Sequence, residues 1–130
     1  MTAENLINFI DRLTENSAIF SKEPREKDLG LEDEEIALIH SFSSRDWLAL
    51  RNLNLKERSD FWVECLIVLL DEAYTEDARQ MIIHIALTGT EENFYKAMEY
   101  IQDFRRNVDT YTWLKLKNRS AEILRSRSNR

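Results

Sequence analysis

Apolar residues recur three and four positions apart along most of the chain, with polar residues between them. That is the period of an amphipathic α-helix and not of a strand. Leu6, Phe9, Ile10 and Leu13 follow the i, i+3, i+4, i+7 pattern, which predicts a first helix over 3–15 with Thr2 as its N-cap. From 16 to 30 the pattern lapses, and Asn16, Ser17, Ser21, Pro24 and Gly30 punctuate a charged stretch that reads as a loop. Residues 31–42 read as a second helix through Ile36, Ile39 and Phe42. Ser43 or Ser44 can cap a short third helix carrying Trp47, Leu48 and Leu50.

The next segment predicts a long helix over 55–73, with Asn54 and Glu57 at capping-box spacing. Its stretch from Cys65 to Leu70 is apolar on every side, so other helices are expected to surround it. Thr75 caps a helix with the stripe Ala78, Met81, Ile82, Ile85 and Ala86, and Gly89 stands where a C-terminal glycine belongs. Thr90 caps a helix over 91–105 through Phe94, Ala97, Met98, Ile101 and Phe104. A last helix is predicted over 110–125, with Tyr111, Leu114, Ala121 and Leu124 facing inward, followed by a frayed basic tail over 126–130. The expected core comprises Leu6, Ile10, Ile39, Phe61, Leu66, Leu69, Ile82, Ile85, Phe94, Ile101 and Leu114.

Helix starts near 55 and 91, with partners near 76 and 110, place two helix hairpins 34–36 residues apart. Residues 31–53 form a shorter one before them. In length and apolar pattern, residues 31–125 resemble HEAT-like helical repeats. The resemblance implies an all-α domain of six or seven helices built as stacked hairpins. An irregular orthogonal bundle would give the same pattern. A length of 130 residues fits one domain, 1–130.

Composition narrows the chemistry by exclusion. Two glycines, Gly30 and Gly89, leave no Gly-rich phosphate loop, and a single cysteine, Cys65, leaves neither an internal disulfide nor a Cys-based zinc site. His40 and His84 are 44 residues apart and belong to no metal-ligand spacing. The expectation is therefore no enzyme, no metal and no cofactor. No apolar run approaches the ~18 residues of a membrane span. The start Met1-Thr2-Ala3-Glu4-Asn5 carries no basic-then-apolar leader, and with one free thiol a cytoplasmic location is expected.

Charge is divided along the chain. Residues 1–104 hold 10 Lys/Arg and 22 Asp/Glu, a balance of −12, whereas residues 105–130 hold 8 and 2, a balance of +6. The basic end, with Arg105, Arg106, Lys115, Lys117, Arg119, Arg125, Arg127 and Arg130, could contact phosphates. The acidic body would repel the same polyanion, which argues against nucleic acid. Most acidic clusters fall in first helical turns, where the helix dipole favours them. Asp71 and Glu72 do not. With Glu76, Asp77 and the intervening Tyr74 they gather four carboxylates and an aromatic ring at one hairpin tip. These five residues are the candidate partner-binding set, suited to a cationic protein surface.

In size, acidity and lack of catalytic motifs the chain is similar to small bacterial immunity proteins. That resemblance implies neutralisation of a basic toxin, such as a nuclease, by covering its active cleft. A second reading is a structural or adaptor module that takes a peptide or helix in a groove, with Trp62, Phe94, Tyr95 and Trp113 as anchors. A third is an RNA-associated factor using the basic last helix.

Overall fold

Cys65 to Leu70, the most apolar stretch of the chain, is buried along its whole length; all but Val68 are fully inaccessible. In the computed structural model this stretch lies inside a helix, Asp60–Ala73, that packs against four others. Residues 2–15 and 33–128 are described. The predicted loop 16–30 and the first residues of the predicted 31–42 helix lie outside them.

The described residues form seven α-helices and two short 3-10 segments, with no strand among them. The helices are α1 Thr2–Glu15, α2 Asp33–His40, α3 Ser44–Arg51, α4 Asp60–Ala73, α5 Glu76–Thr88, α6 Glu91–Ile101 and α7 Thr110–Ser128. The fold is all-α, as expected. Helix α2 packs on α4 and α4 on α6; in the same way α3 packs on α5 and α5 on α7. Contacts of α5 with α4 and with α6 join the two rows. At one end α1 packs against α2, α3 and α4, burying Leu6 and Ile10 completely. Each such side chain contributes roughly 1.5–3 kcal/mol relative to leaving it exposed.

The helix starts follow from local chemistry. Ser43, Ser59, Thr75 and Thr90 each accept a backbone N–H of the first turn, and Ser43 with Asp46 and Thr90 with Asn93 form reciprocal capping boxes. Asp109 caps α7, accepting the Thr112 N–H at 2.6 Å.

Several expectations need correction. The predicted 55–73 helix is interrupted: Leu55–Glu57 is a 3-10 turn capped by Asn54, and α4 starts after Ser59. Here Arg58 and Trp62 reach back to α1, donating to Asp11 Oδ1 at 2.9 and 2.8 Å. The predicted 91–105 helix leaves α geometry at Ile101 and continues as a 3-10 segment, Gln102–Asn107, with Phe104 off helical dihedrals. Gly89 does follow α5, but at φ −82° it needs no left-handed freedom. It is required by close approach, because a Cβ there would lie 2.6 Å from Asn93 Oδ1 and 2.9 Å from the Ile85 carbonyl. The last helix extends past the predicted end at 125, to Ser128, where Arg127 pairs with Glu91 and lies over the Tyr95 ring; residues 129–130 of the predicted tail lie outside the described residues.

Two core assignments also fail. Phe61 is only half-buried, and Leu114 is 55% exposed. On α7 the residues expected to face inward, Tyr111, Leu114, Ala121 and Leu124, are exposed, and Leu116 and Ile123 are buried instead.

Candidate protein-binding surface

The turn between α4 and α5 is one residue long in effect, because Tyr74 reverses the chain in the left-handed region (φ 55°, ψ 45°) and Thr75 caps the next helix. Among the described residues Tyr74 is the one non-glycine with positive φ. Such a conformation costs roughly 1–2 kcal/mol for an L-residue. Its ring is 76% exposed and is met on one side by the Arg79 guanidinium, 4.6 Å from the ring centre. The hairpin tip therefore presents an aromatic ring backed by a cation, a combination frequent at energetic centres of protein interfaces.

The five predicted site residues are near one another in sequence, but the fold distributes them around this ridge. Asp71 and Tyr74 line a cleft of about 470 Å³ with Arg79 and, across from them, Asp103, Phe104 and Arg106 of the 3-10 segment. Asp77 lies on the opposite flank, in a shallower groove with Phe42, Trp47, Leu48 and Arg51. Glu76 stands between, accepting from Gln80 at 3.0 Å with Arg79 3.7 Å away. Glu72 is exposed.

The electrostatics of the cleft are mixed. Partial burial, and then the charge of Asp103, raise the Asp71 carboxyl above its ordinary value, while Arg79 pulls it down. Arg79 lies over Phe104 as well, at 5.8 Å, and Arg105 lies over Trp113 at 4.8 Å. Acid and base thus alternate across the mouth, an arrangement able to exchange ion pairs with a charged partner surface. The cleft's far wall, Asp103 to Arg106, had no signal in the sequence, since it is brought in by the 3-10 turn some thirty residues later.

On the opposite flank Leu48 is 58% exposed beside Trp47, whose ring meets Phe42 edge-on at 4.9 Å. Arg51 belongs both to this groove and to a neighbouring one with Gln80, His84, Thr112 and Lys115. The His84 Nε2–H donates to the Arg51 carbonyl at 3.1 Å; burial, and the Arg51 charge, hold its pKa below the usual value against that hydrogen bond. Of the anchors expected for an adaptor groove, Trp62 and Phe94 are only 3% exposed and belong to the core. Tyr95 is 37% exposed and Trp113 half-buried.

No group of three or more His, Cys, Asp or Glu side chains among the described residues could hold a metal ion. No helix among them is long and apolar enough to cross a membrane. Cys65 is fully buried, and burial together with the neighbouring Glu64 charge pushes its thiol up to about 12, where little thiolate exists at neutral pH. Compared with protein-family models, with curated proteins and with solved structures, the chain matches none.

Proposed function

We propose that this chain is a small cytoplasmic binding protein whose partner is a basic protein, engaged through the ridge of Asp71, Glu72, Tyr74, Glu76 and Asp77. The setting that fits such a molecule is bacterial immunity, in which an acidic protein covers the active cleft of a basic toxin. The observation that carries this reading is Tyr74. Its exposed ring is held by a disfavoured backbone conformation between pairs of carboxylates. The left-handed conformation ends α4 as an αL cap, and what favours recognition is the large aromatic surface that it leaves exposed at the tip. Helices packed in two rows lie behind the ridge, and a ridge carried on a preformed hairpin would meet little ordering cost on binding.

The test is association kinetics with any basic, toxin-like protein whose gene adjoins the one for this chain. Replacing Asp71, Glu72, Glu76 and Asp77 together by Asn and Gln should slow association by ~10-fold or more at low salt. The difference should shrink toward ~0.5 M salt, where exposed charges are screened over a few ångströms. Neutralising Arg125 and Arg127 should leave the rate unchanged or slightly faster. The reverse result, loss of binding on neutralising the basic helix and none on neutralising the ridge, would transfer the reading to nucleic acid.

A second reading has its own observation. The exposed Leu48 beside the Phe42–Trp47 pair favours an adaptor groove for a partner helix. Such binding would be nearly indifferent to salt and would be lost in Leu48→Asp.

A further inference from the structure

Arg51 ends α3 between two grooves. On one side lie Phe42, Trp47 and the exposed Leu48. On the other, a groove of about 240 Å³ crosses three helices: Arg51 comes from α3, Gln80 and His84 from α5, and Thr112 and Lys115 from α7. The His84 ring ties the first two together through its hydrogen bond to the Arg51 carbonyl. Because they share Arg51, the two grooves form one surface, apolar at one end and polar at the other.

The charge of the polar end is opposite to that of the chain around it. Residues 1–104 balance at −12, yet no Asp or Glu lines the 240 Å³ groove. Arg51 and Lys115 are exposed, and among the described residues neither forms an ion pair with a carboxylate. Lys115 lies instead over the Tyr111 ring, 4.7 Å from its centre. His84 adds no charge at neutral pH, since burial, and then the Arg51 charge, hold its pKa below the usual value. Three carboxylates border the surface. Asp77 lines the apolar end. Glu76 accepts from Gln80 at 3.0 Å. Asp109 is held low by the Thr112 N–H that it caps and, more weakly, by the Lys115 charge.

We infer that this surface docks an acidic peptide segment of a partner protein, with a bulky apolar side chain on Phe42, Trp47 and Leu48 and carboxylates at Arg51 and Lys115. The arrangement sets the polarity of the occupant: its apolar anchor sits at the Asp77 end, and its carboxylates lie away from that charge. The Arg51 fork can receive a carboxylate through two parallel hydrogen bonds. Exposed ion pairs are individually weak, so the apolar anchor carries the affinity and the cations select the partner. A nucleic-acid backbone would bring phosphates but nothing to cover Leu48, and the acidic body would oppose it. The inference rests on the adaptor reading and gives its occupant a charge. The apolar end alone would be indifferent to salt; the cationic end adds a salt-dependent part.

Selection from a randomised twelve-residue peptide library tests it, with the folded chain as bait. A prior round on the Leu48→Asp, Arg51→Glu double variant removes every peptide that binds elsewhere, including basic peptides held by the ridge. Both positions are exposed, so far-ultraviolet helicity should match the parent; Leu48→Ser with Arg51→Gln serves if it does not. Surviving peptides should combine a Trp, Phe or Leu with two or more Asp or Glu. In fluorescence anisotropy at ~50 mM salt, a survivor should weaken about 3- to 10-fold when its acidic residues become amides, and this difference should fade toward ~0.5 M. Changing its apolar residue to Ser should weaken it about 10-fold or more. Lys115→Glu should weaken the acidic peptide and leave the amide form unchanged. Survivors with apolar residues but no acidic preference overturn the acidic occupant and leave the adaptor groove standing. Absence of survivors overturns both, as does a uridine twelve-mer that binds the parent and not the double variant.

Discussion

Asp46 joins the starts of two helices that are forty-three residues apart: its Oδ1 accepts the Ala3 N–H at 3.0 Å, while its Oδ2 accepts the Ser43 N–H at 2.9 Å. It is one of two polar or charged residues buried among the described residues, with only 4% of its surface exposed. A single carboxylate therefore completes the α3 capping box and also satisfies a free N–H group in the first turn of α1. The Ser43 and then the Ala3 backbone hydrogen bonds hold its pKa below the ordinary aspartate value. A depressed native pKa contributes stability that is present above the unfolded value of about 3.9 and is lost as pH falls through the native one. Asp46→Asn should therefore lower Tm across the neutral range, and the gap to the parent should close in acid below about pH 4. A gap independent of pH would mean that the carboxylate charge is not what holds α1.

Helix α7 provides a direct test of side-chain register. Leu116→Ala should cost about 2–5 kcal/mol in urea unfolding, as expected for a buried leucine, whereas Leu114→Ala should fall within about 0.5 kcal/mol. Equal costs would mean that the exposed stripe packs inward after all.

That helix also shows where the sequence was legible. The helix behind Thr75 is legible because its apolar stripe is wide. Ala78, Met81, Ile82, Ile85 and Ala86 are all buried, and Thr75 and Thr90 cap where expected. On α7 the inward face is narrow, two aliphatic residues flanked by the half-buried Trp113 and Arg119, whereas the outward face carries the longer apolar series. Periodicity selects the longer series, and only tertiary contact shows which one meets the core. The same limit hid the second role of Asp46. Ser43 and Asp46 have capping-box spacing, but the bond to Ala3 depends on how α1 docks. At the hairpin tip, sequence proximity groups five residues but cannot show that Asp71 and Asp77 line different grooves, because that depends on where the segment after α6 returns.

Cys65 should be silent to thiol reagents in the native protein. Its thiol is fully buried and pushed up to about 12. Modification by an aromatic disulfide at pH 8 should proceed only at the rate of global unfolding and should become fast in denaturant. For a group whose native pKa is raised, stability is intact below its unfolded value and declines as pH rises toward the native one. The parent should therefore lose stability between about pH 9 and 12 more steeply than Cys65→Ala. Fast labelling of the native state would place the thiol at a surface and reopen a chemical role.

Asp71 should reveal a conflict between stability and recognition. Its carboxyl is raised, first by burial and then by Asp103, with Arg79 opposing. The sign is opposite to that at Asp46. The native state holds this proton more tightly than the unfolded chain does, so the ionised form weakens the fold as pH rises through the native value. Asp71→Asn removes that penalty. The variant should be at least as stable as the parent at pH 7, and its advantage should shrink as pH is lowered through the native value and vanish below about pH 3, where the parent carboxyl is protonated in both states. If the ridge captures a basic partner, the same substitution should also slow association at low salt. Gain of stability with loss of binding is the signature of a charge retained for recognition. A less stable Asp71→Asn chain at pH 7 would instead make the carboxylate part of the scaffold, and the ridge would then have to bind through Tyr74, Glu76 and Asp77 without it.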